Sequence, residues 1–349
     1  MRYTKVSIAA VGYELPPNVV RSDEIEERLS PLYERLKLPK GRLQMMTGIK
    51  ERRFWGEGEK PSSSAVKAGA KAILASGIDV DKFGALFHTS VCRDFLEPAT
   101  ANVVHSGLKL SPNALIFDIS NACLGVLDGM VTLANMIELD QVEAGIIVAG
   151  EMGEALVEST INDLLSNKSH TRQSIKPAFA SLTIGSGAAA VVLAKSDLAP
   201  GGMRLAGGVA RCATKDAHLC KSSVDQGVGQ GSAPLMATDS EELLKAGCAL
   251  AGETWDEFKK TMGWENNDIN RAFTHQVGAA HRRLLYESIG LNTEIDFATV
   301  SYLGNIGSVS LPITLGIGLE KGLVKRGDKV ALLGIGSGLN CMMLGLESL

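Results

Sequence analysis

Short apolar runs of strand length recur along this chain, with helix-like segments between them. That alternation restricts the fold more than any other feature. Gly145-Ile-Ile-Val-Ala-Gly150, Ala188-Ala-Ala-Val-Val-Leu-Ala194, Lys329-Val-Ala-Leu-Leu-Gly334 and Cys341-Met-Met-Leu-Gly345 are the strongest runs. Strands alternating with helices argue for an α/β fold with well-covered sheets. Lys5 to Tyr13 reads as an opening strand, and Ala85 to His88 and Ala114 to Asp118 as short ones. Pro61-Ser-Ser-Ser64 reads as a helix start. Val66, Ala70, Ile73 and Leu74 then share a face at helical spacing, and Gly77 stands where a glycine cap belongs. In the second half, Asp239 and Glu242 form a capping pair. Arg271 to His275 reads as a strand ending in a polar site, and His281 to Ile289 as a helix closed by Gly290. The 349 residues exceed a typical domain of roughly 100–200 residues. Residues 1–195 and 196–349 echo each other coarsely, so two similar α/β halves are expected. The stretch from Lys221 to Met236 is rich in glycine and serine and reads as a loop.

Composition removes several classes of function. A net charge of −4 gives no basic field for nucleic acid. No run of about 18 apolar residues is present, so no membrane span is expected. The region after Met1 lacks the apolar core of an export signal. The six cysteines (Cys92, Cys123, Cys212, Cys220, Cys248 and Cys341) are scattered rather than arrayed as a framework. Reduced thiols and a cytoplasmic location are therefore expected.

Cys123 draws attention through its neighbours. A strand ends near Asp118, and an almost wholly apolar helix begins at or just after the cysteine. Unpaired N–H groups and the positive end of the helix dipole favour a thiolate there, which predicts a lowered pKa and a primed nucleophile. A free cysteine is more often a buried structural residue, and local context leaves both readings open. His275 lies at the end of a strand in Phe273-Thr-His-Gln-Val277. Asn305 lies between glycines in Leu303-Gly-Asn-Ile-Gly307. Each is weak alone. Together with Cys123 they supply a nucleophile and two donors for a thioester or enolate oxygen. Gly334-Ile-Gly-Ser-Gly338 lacks the lysine and following helix of a phosphate loop, and reads instead as a turn with exposed N–H groups. Glu97, before Pro98, reads as an exposed turn carboxylate. Cys212, His218 and Cys220 match no common zinc spacing, so no metal is expected.

Five motifs in order identify a family resemblance: Thr47-Gly-Ile-Lys-Glu-Arg-Arg53, Ser120-Asn-Ala-Cys123, His275-Gln276, Gly304-Asn-Ile-Gly307 with Pro312, and Gly334-Ile-Gly-Ser-Gly-Leu-Asn-Cys341. The chain resembles the thiolase superfamily in its β-ketoacyl-ACP synthase III branch, and most of all the OleA-type enzymes that condense acyl-CoAs in long-chain olefin synthesis. The resemblance implies two pseudo-repeated halves in a five-layer αβαβα sandwich and a homodimer. It implies a triad of Cys123, His275 and Asn305, and an oxyanion hole of the Cys123 and Ser337 N–H groups. Synthase III sequences carry glycine at the place of Ser337, and a backbone donor survives that change.

The resemblance also changes the reading of Glu97. Where synthase III enzymes carry an aromatic residue, OleA-type sequences carry a glutamate that reaches across the dimer as a base. A malonyl donor makes its carbanion by losing carbon dioxide, whereas a plain acyl-CoA must lose an α-proton. The expected reaction is therefore a non-decarboxylative Claisen condensation of two fatty acyl-CoAs through a Cys123 thioester. It needs no cofactor beyond acyl-CoA or acyl-ACP as substrate, and downstream enzymes acting on a β-keto acid are expected partners. The rivals are decarboxylative synthesis from malonyl-ACP, acyl transfer to another acceptor, and a non-catalytic partner subunit. Arg282 and Arg283 stand either at a CoA entrance or on a solvated helix face.

Overall fold

The computed structural model describes residues 1–222 and 235–349. Nine strands share one hydrogen-bonded sheet: β1 (Val6–Glu14), β2 (Phe83–His88), β3 (Leu115–Asp118), β4 (Ala144–Glu151), β5 (Gly187–Lys195), β6 (Met203–Cys212), β7 (Ile269–Thr274), β8 (Lys329–Gly336) and β9 (Asn340–Ser348). Their spatial order is β7-β8-β9-β6-β1-β5-β4-β2-β3. Strands β3, β2 and β4 run parallel, and β5 and β1 follow antiparallel. On the other side β7 and β8 run parallel, and β9 and β6 follow antiparallel. An isolated parallel bridge from Ala272 to Asp296 extends β7 as β3 extends β2. The two sets meet where Ser7 and Ile8 pair with Arg204 and Met203, and an isolated antiparallel bridge from Arg2 to Gly207 continues the seam.

Six helices complete the layers: α1 (Pro61–Ser76), α2 (Thr100–Leu108), α3 (Gly125–Glu138), α4 (Ser240–Met262), α5 (Ala279–Ile289) and α6 (Ser310–Glu320). Side chains alternate across a strand, so each run that is apolar throughout must be covered on both faces. Ile146, Val148, Ala190 and Val192 face α1 and α2. Ile147, Ala149, Val191 and Leu193 face α3 and α6, as do Val330, Leu332, Met342 and Leu344 from the other set. Ala331, Leu333, Cys341 and Met343 face α4 and α5. The result is the expected five-layer αβαβα sandwich, with α3 and α6 as the shared middle layer.

Most expected elements are present, with strands that run a residue or two further. The buried face of α1 is the exception. Val66 and Ile73 pack only partly against the core, Ala70 is exposed, and Leu74 is 85% exposed. The core face is Ala65, Ala68, Gly69 and Ala72. A Cβ on Gly12 of β1 would lie 2.4 Å from the Ala68 carbonyl oxygen and 2.6 Å from the Ala72 nitrogen. Helix and strand backbones are therefore in near contact, and only small residues fit between them. In the expected loop 221–236, Lys221 and Ser222 pair with Ala237 and Met236 in a short ribbon, Cys220–Ser222 with Met236–Thr238. Residues 223–234 lie outside the described residues. Among the described residues, no helix is long and apolar enough to cross a membrane.

Candidate active site

Cys123 sits in a 3₁₀ turn, Ala122–Leu124, directly before α3. Ala122 holds φ at +46°, a left-handed conformation that costs a non-glycine residue energy and reverses the chain sharply. The turn is fastened from both sides. Asn121 donates to Asp128 of α3 at 2.9 Å and accepts from Asn340 of β9 at 3.3 Å. Below it, a Cβ on Gly336 would lie 3.6 Å from the Cys123 nitrogen, so the turn rests on the end of β8. Gly125 opens α3 against β2, where a Cβ would meet the Thr89 carbonyl oxygen at 2.1 Å. Gly125→Ala must displace the turn or the strand end. A cost of about 2 kcal/mol or more is expected, read as a lower urea midpoint.

The other two residues come from the second half. His275 continues β7 past its last assigned residue, its N–H donating to Leu333 O of β8 at 3.0 Å. Gln276 then organises the next segment. Its Oε1 accepts from the Thr299 and Val300 N–H groups at 2.8 and 2.9 Å, and its Nε2 donates to Phe297 O at 2.8 Å. That segment leads to Asn305. Gly304 and Gly307 both hold positive φ, at 72° and 61°, the conformations that glycine supplies at least cost. The Asn305 backbone is pinned by Thr183 O and the Gly185 N–H, each at 2.9 Å. Its Oδ1 accepts from the Gly307 N–H at 3.2 Å, which leaves Nδ2 as the end able to donate. The Thr47–Arg53 motif lies beneath this turn. The Lys50 N–H donates to Ser301 O at 2.8 Å, and fully buried Arg52 donates to Leu182 O at 3.2 Å. The turn after Gly307 packs against the Cys123 turn. The Cys123 turn also packs against β8, the strand to which His275 is hydrogen-bonded.

Electrostatics reverse one expectation. Burial pushes the Cys123 thiol up to about 12, and the Glu151 carboxylate and Cys220 add to the rise. The N–H groups of Ser337 and Cys123 act in the opposite direction, and burial outweighs them. The resting residue is a thiol, not the primed thiolate that the helix start predicts. His275 shifts the other way. Burial and, secondarily, His281 lower it to about 3, so the ring is neutral and able to accept a proton. A folded state that keeps this ring neutral, while the unfolded chain protonates near 6.5, has its full stability above that pH. It loses stability as pH falls from about 6.5 toward 3, at up to about 1.4 kcal/mol per pH unit. Urea midpoints at about pH 7.5 and 5 should fall further apart in the wild type than in His275→Asn.

The Ser337 N–H lies near enough to the Cys123 sulfur to favour its ionised form. Ser337 also carries a tether that glycine lacks: its hydroxyl donates to Cys220 Sγ at 3.4 Å, and Cys220 contacts Thr238 Oγ1 at 3.4 Å. The ribbon after β6 thereby braces the turn between β8 and β9. Cys220 spends its sulfur there, and His218 Nδ1 donates to Lys215 O at 3.2 Å. Arg282 is held by buried Asp296 and by Thr293 O, and Arg283 lies 3.8 Å from Glu287. Glu97 is exposed on the loop after β2, beside exposed Val91, Phe95 and Leu96. A single chain does not bring it to its own Cys123 turn through any described contact.

The chain is 42% identical to the acyl-CoA:acyl-CoA alkyltransferase of Shewanella oneidensis, over 99% of this chain and 100% of that protein. It is 37% identical to the enzyme of the same name from Xanthomonas campestris, over 98% of each. The chain belongs to the acyl-CoA:acyl-CoA alkyltransferase family. Its fold agrees, since the alkyltransferase chain superposes on crystal structures of Xanthomonas campestris OleA with a TM-score of 0.93 at 36% identity, covering 99% of each chain. Residues 260–347 match the C-terminal model of 3-oxoacyl-[acyl-carrier-protein] synthase III. This alkyltransferase-family chain is an acyl-transferring enzyme of the thiolase superfamily.

One residue of the alkyltransferase site escaped sequence reasoning. Glu151, the last residue of β4, is only 4% exposed. Its signal was a charged residue closing a strand that is otherwise wholly buried. Its Oε1 accepts from the N–H groups of Val91 and Ser308, at 3.0 and 3.3 Å, and from the Ser308 hydroxyl. Its Oε2 accepts from the Cys92 N–H at 3.3 Å.

Proposed function

We propose that this enzyme joins two fatty acyl-CoAs by non-decarboxylative Claisen condensation through an acyl thioester on Cys123. The observation that carries the proposal is the packing of the Cys123 turn against the turn that follows Asn305 and against β8, the strand to which the neutral His275 is bonded. As Cys123 attacks the acyl-CoA carbonyl, neutral His275 accepts the thiol proton and passes it to the departing CoA, which leaves as the thiol. The Cys123 and Ser337 N–H groups hold the oxyanion. A second acyl-CoA then presents its α-carbon. Glu97 of the partner subunit removes the α-proton, and His275 and Asn305 Nδ2 donate to the enolate oxygen. The carbanion displaces Cys123 from its thioester and yields a 2-alkyl-3-ketoacyl product, which hydrolysis releases as the acid.

Glu97 in place of decarboxylation is the feature that separates this reaction from synthesis with malonyl-ACP. OleA has been crystallised with variants at one glutamate, one cysteine and one histidine, and its Cys-to-Ser variant with lauric acid and lauroyl-CoA. In that protein the glutamate precedes the cysteine by 26 residues, as Glu97 precedes Cys123 here. A homodimer supplies the crossing that Glu97 needs. Exposed Val91, Phe95 and Leu96, together with the open outer edge of β3, form a face that a second copy would cover. Free scattered thiols fit a cytoplasmic enzyme, and the named side chains account for every step without a resident cofactor. The deciding measurement is intact mass after exposure to one acyl-CoA. The acyl mass, localised to Cys123, is expected with release of one CoA. Carbon dioxide from malonyl-ACP, with no product from acyl-CoA alone, would favour the decarboxylating alternative.

A further inference from the structure

Glu151 has no role in those steps, yet it sits where the two parts of the mechanism meet. Val91 and Cys92, whose N–H groups it binds, begin the loop that carries Glu97. Ser308, which gives it both N–H and hydroxyl, lies three residues after Asn305. Gly307 is shaped to the same carboxylate, because a Cβ there would stand 3.2 Å from Glu151 Oε1. The Trp55 indole N–H donates to the Glu151 carbonyl at 3.1 Å and fixes its backbone. Ser90, just before the loop, accepts from the Gly150 N–H at 2.6 Å and contacts His88 Nε2 at 2.9 Å. A buried carboxylate with four donors is a rigid joint rather than a solvated surface group.

We propose that Glu151 is a positioning residue that holds the Glu97 loop and the Asn305 turn in one fixed relation. The consequence extends across the dimer, because Asn305 serves its own site and Glu97 the partner's. One joint thus sets the amide of one site and the base of the other. This inference rests on the condensation reading above. The groups its charge faces are Cys123, Cys92 and His88, and near Cys123 the negative charge disfavours the thiolate. Replacing the carboxylate by an amide keeps the volume but turns an Nε2 donor toward an N–H donor, which releases at least one of the two segments.

The test is Glu151→Gln in the full-length dimer, with three readouts. Condensation kcat should fall by about 10²-fold, the loss associated with misplacing reacting groups by about 1 Å. The rate of Cys123 acylation by a single acyl-CoA should change by less than about threefold, because that step uses neither Glu97 nor the donated enolate bond. The pH profile of Cys123 alkylation by iodoacetamide should move to lower pH, since a nearby negative charge has been removed. Ser308→Ala, which deletes one donor and leaves the charge, should lower condensation several-fold without moving the alkylation profile, and it serves if Glu151→Gln does not fold. Equal loss of acylation and condensation, or an unmoved alkylation profile in Glu151→Gln, overturns the proposal, as does wild-type condensation in either variant. Failure of wild-type Cys123 to acylate would instead remove the condensation reading itself.

Discussion

Cys123→Ala is expected to lower condensation by about 10⁴-fold or more and to eliminate the acyl adduct. The size follows from what the sulfur does. In the proposed reaction it is the attacking atom, the bond that stores the first acyl group and the leaving group in the second step. Nothing else within the Cys123 turn can replace it, since Ala122 and Leu124 carry no nucleophile. The structure adds a constraint on how it reacts. With the thiol pushed up to about 12, a free thiolate at neutral pH is scarce, and the proposed attack calls for proton transfer to a base in the same step, the role proposed for His275. His275→Ala should therefore slow acylation itself by about 10²-fold or more, not only the later condensation. Stopped-flow acylation with a chromogenic acyl thioester measures this. Normal acylation in that variant would show that another base serves the sulfur, and an unlabelled but active Cys123→Ala would remove the covalent step.

Glu97→Ala should be nearly as damaging, by about 10²–10⁴-fold in condensation, with acylation of Cys123 intact. Single chains place Glu97 on an exposed loop, so its proposed action depends on a second copy. Mixing provides a sharp check. Neither Cys123→Ala nor Glu97→Ala homodimers should condense acyl-CoAs. A hybrid with one chain of each holds one site complete with sulfur and base and one lacking both. Subunit exchange between the two inactive proteins should thus restore activity, up to half that of the wild type per hybrid dimer. No recovery on demonstrated exchange would place the glutamate's action within its own chain or dismiss it as the base.

The sequence carried most of the architecture, because apolar strands covered on both faces announce themselves by continuous hydrophobicity. Ile146 to Ala149 and Ala331 to Leu333 are buried throughout and were legible for that reason. The Cys123 turn was equally visible, since a strand, a polar bend and an apolar helix leave few conformations between them. Other features depended on distance in space. The core face of α1 was not legible, because backbone contact at Gly12 rewards small size, which hydrophobicity does not signal. The thiol shift was misread because helix-end effects are local and readable, whereas desolvation depends on what is packed overhead. Glu151 and the Ser337–Cys220 tether join residues far apart in the chain, and no local pattern encodes such pairs.

The place of β9 bears on how the protein is made. It is the last of the nine strands in the chain, yet it lies between β6 and β8 in the interior of the second set. While the chain is growing, β6 emerges long before its principal neighbour and has two pairs with β1 and a bridge to Arg2 on its other edge. An uncapped strand edge of this kind invites pairing with other nascent chains. Holdase chaperones would then be needed most between synthesis of β6 and arrival of β9, and slow codons in that interval would promote inclusion bodies without altering the finished enzyme.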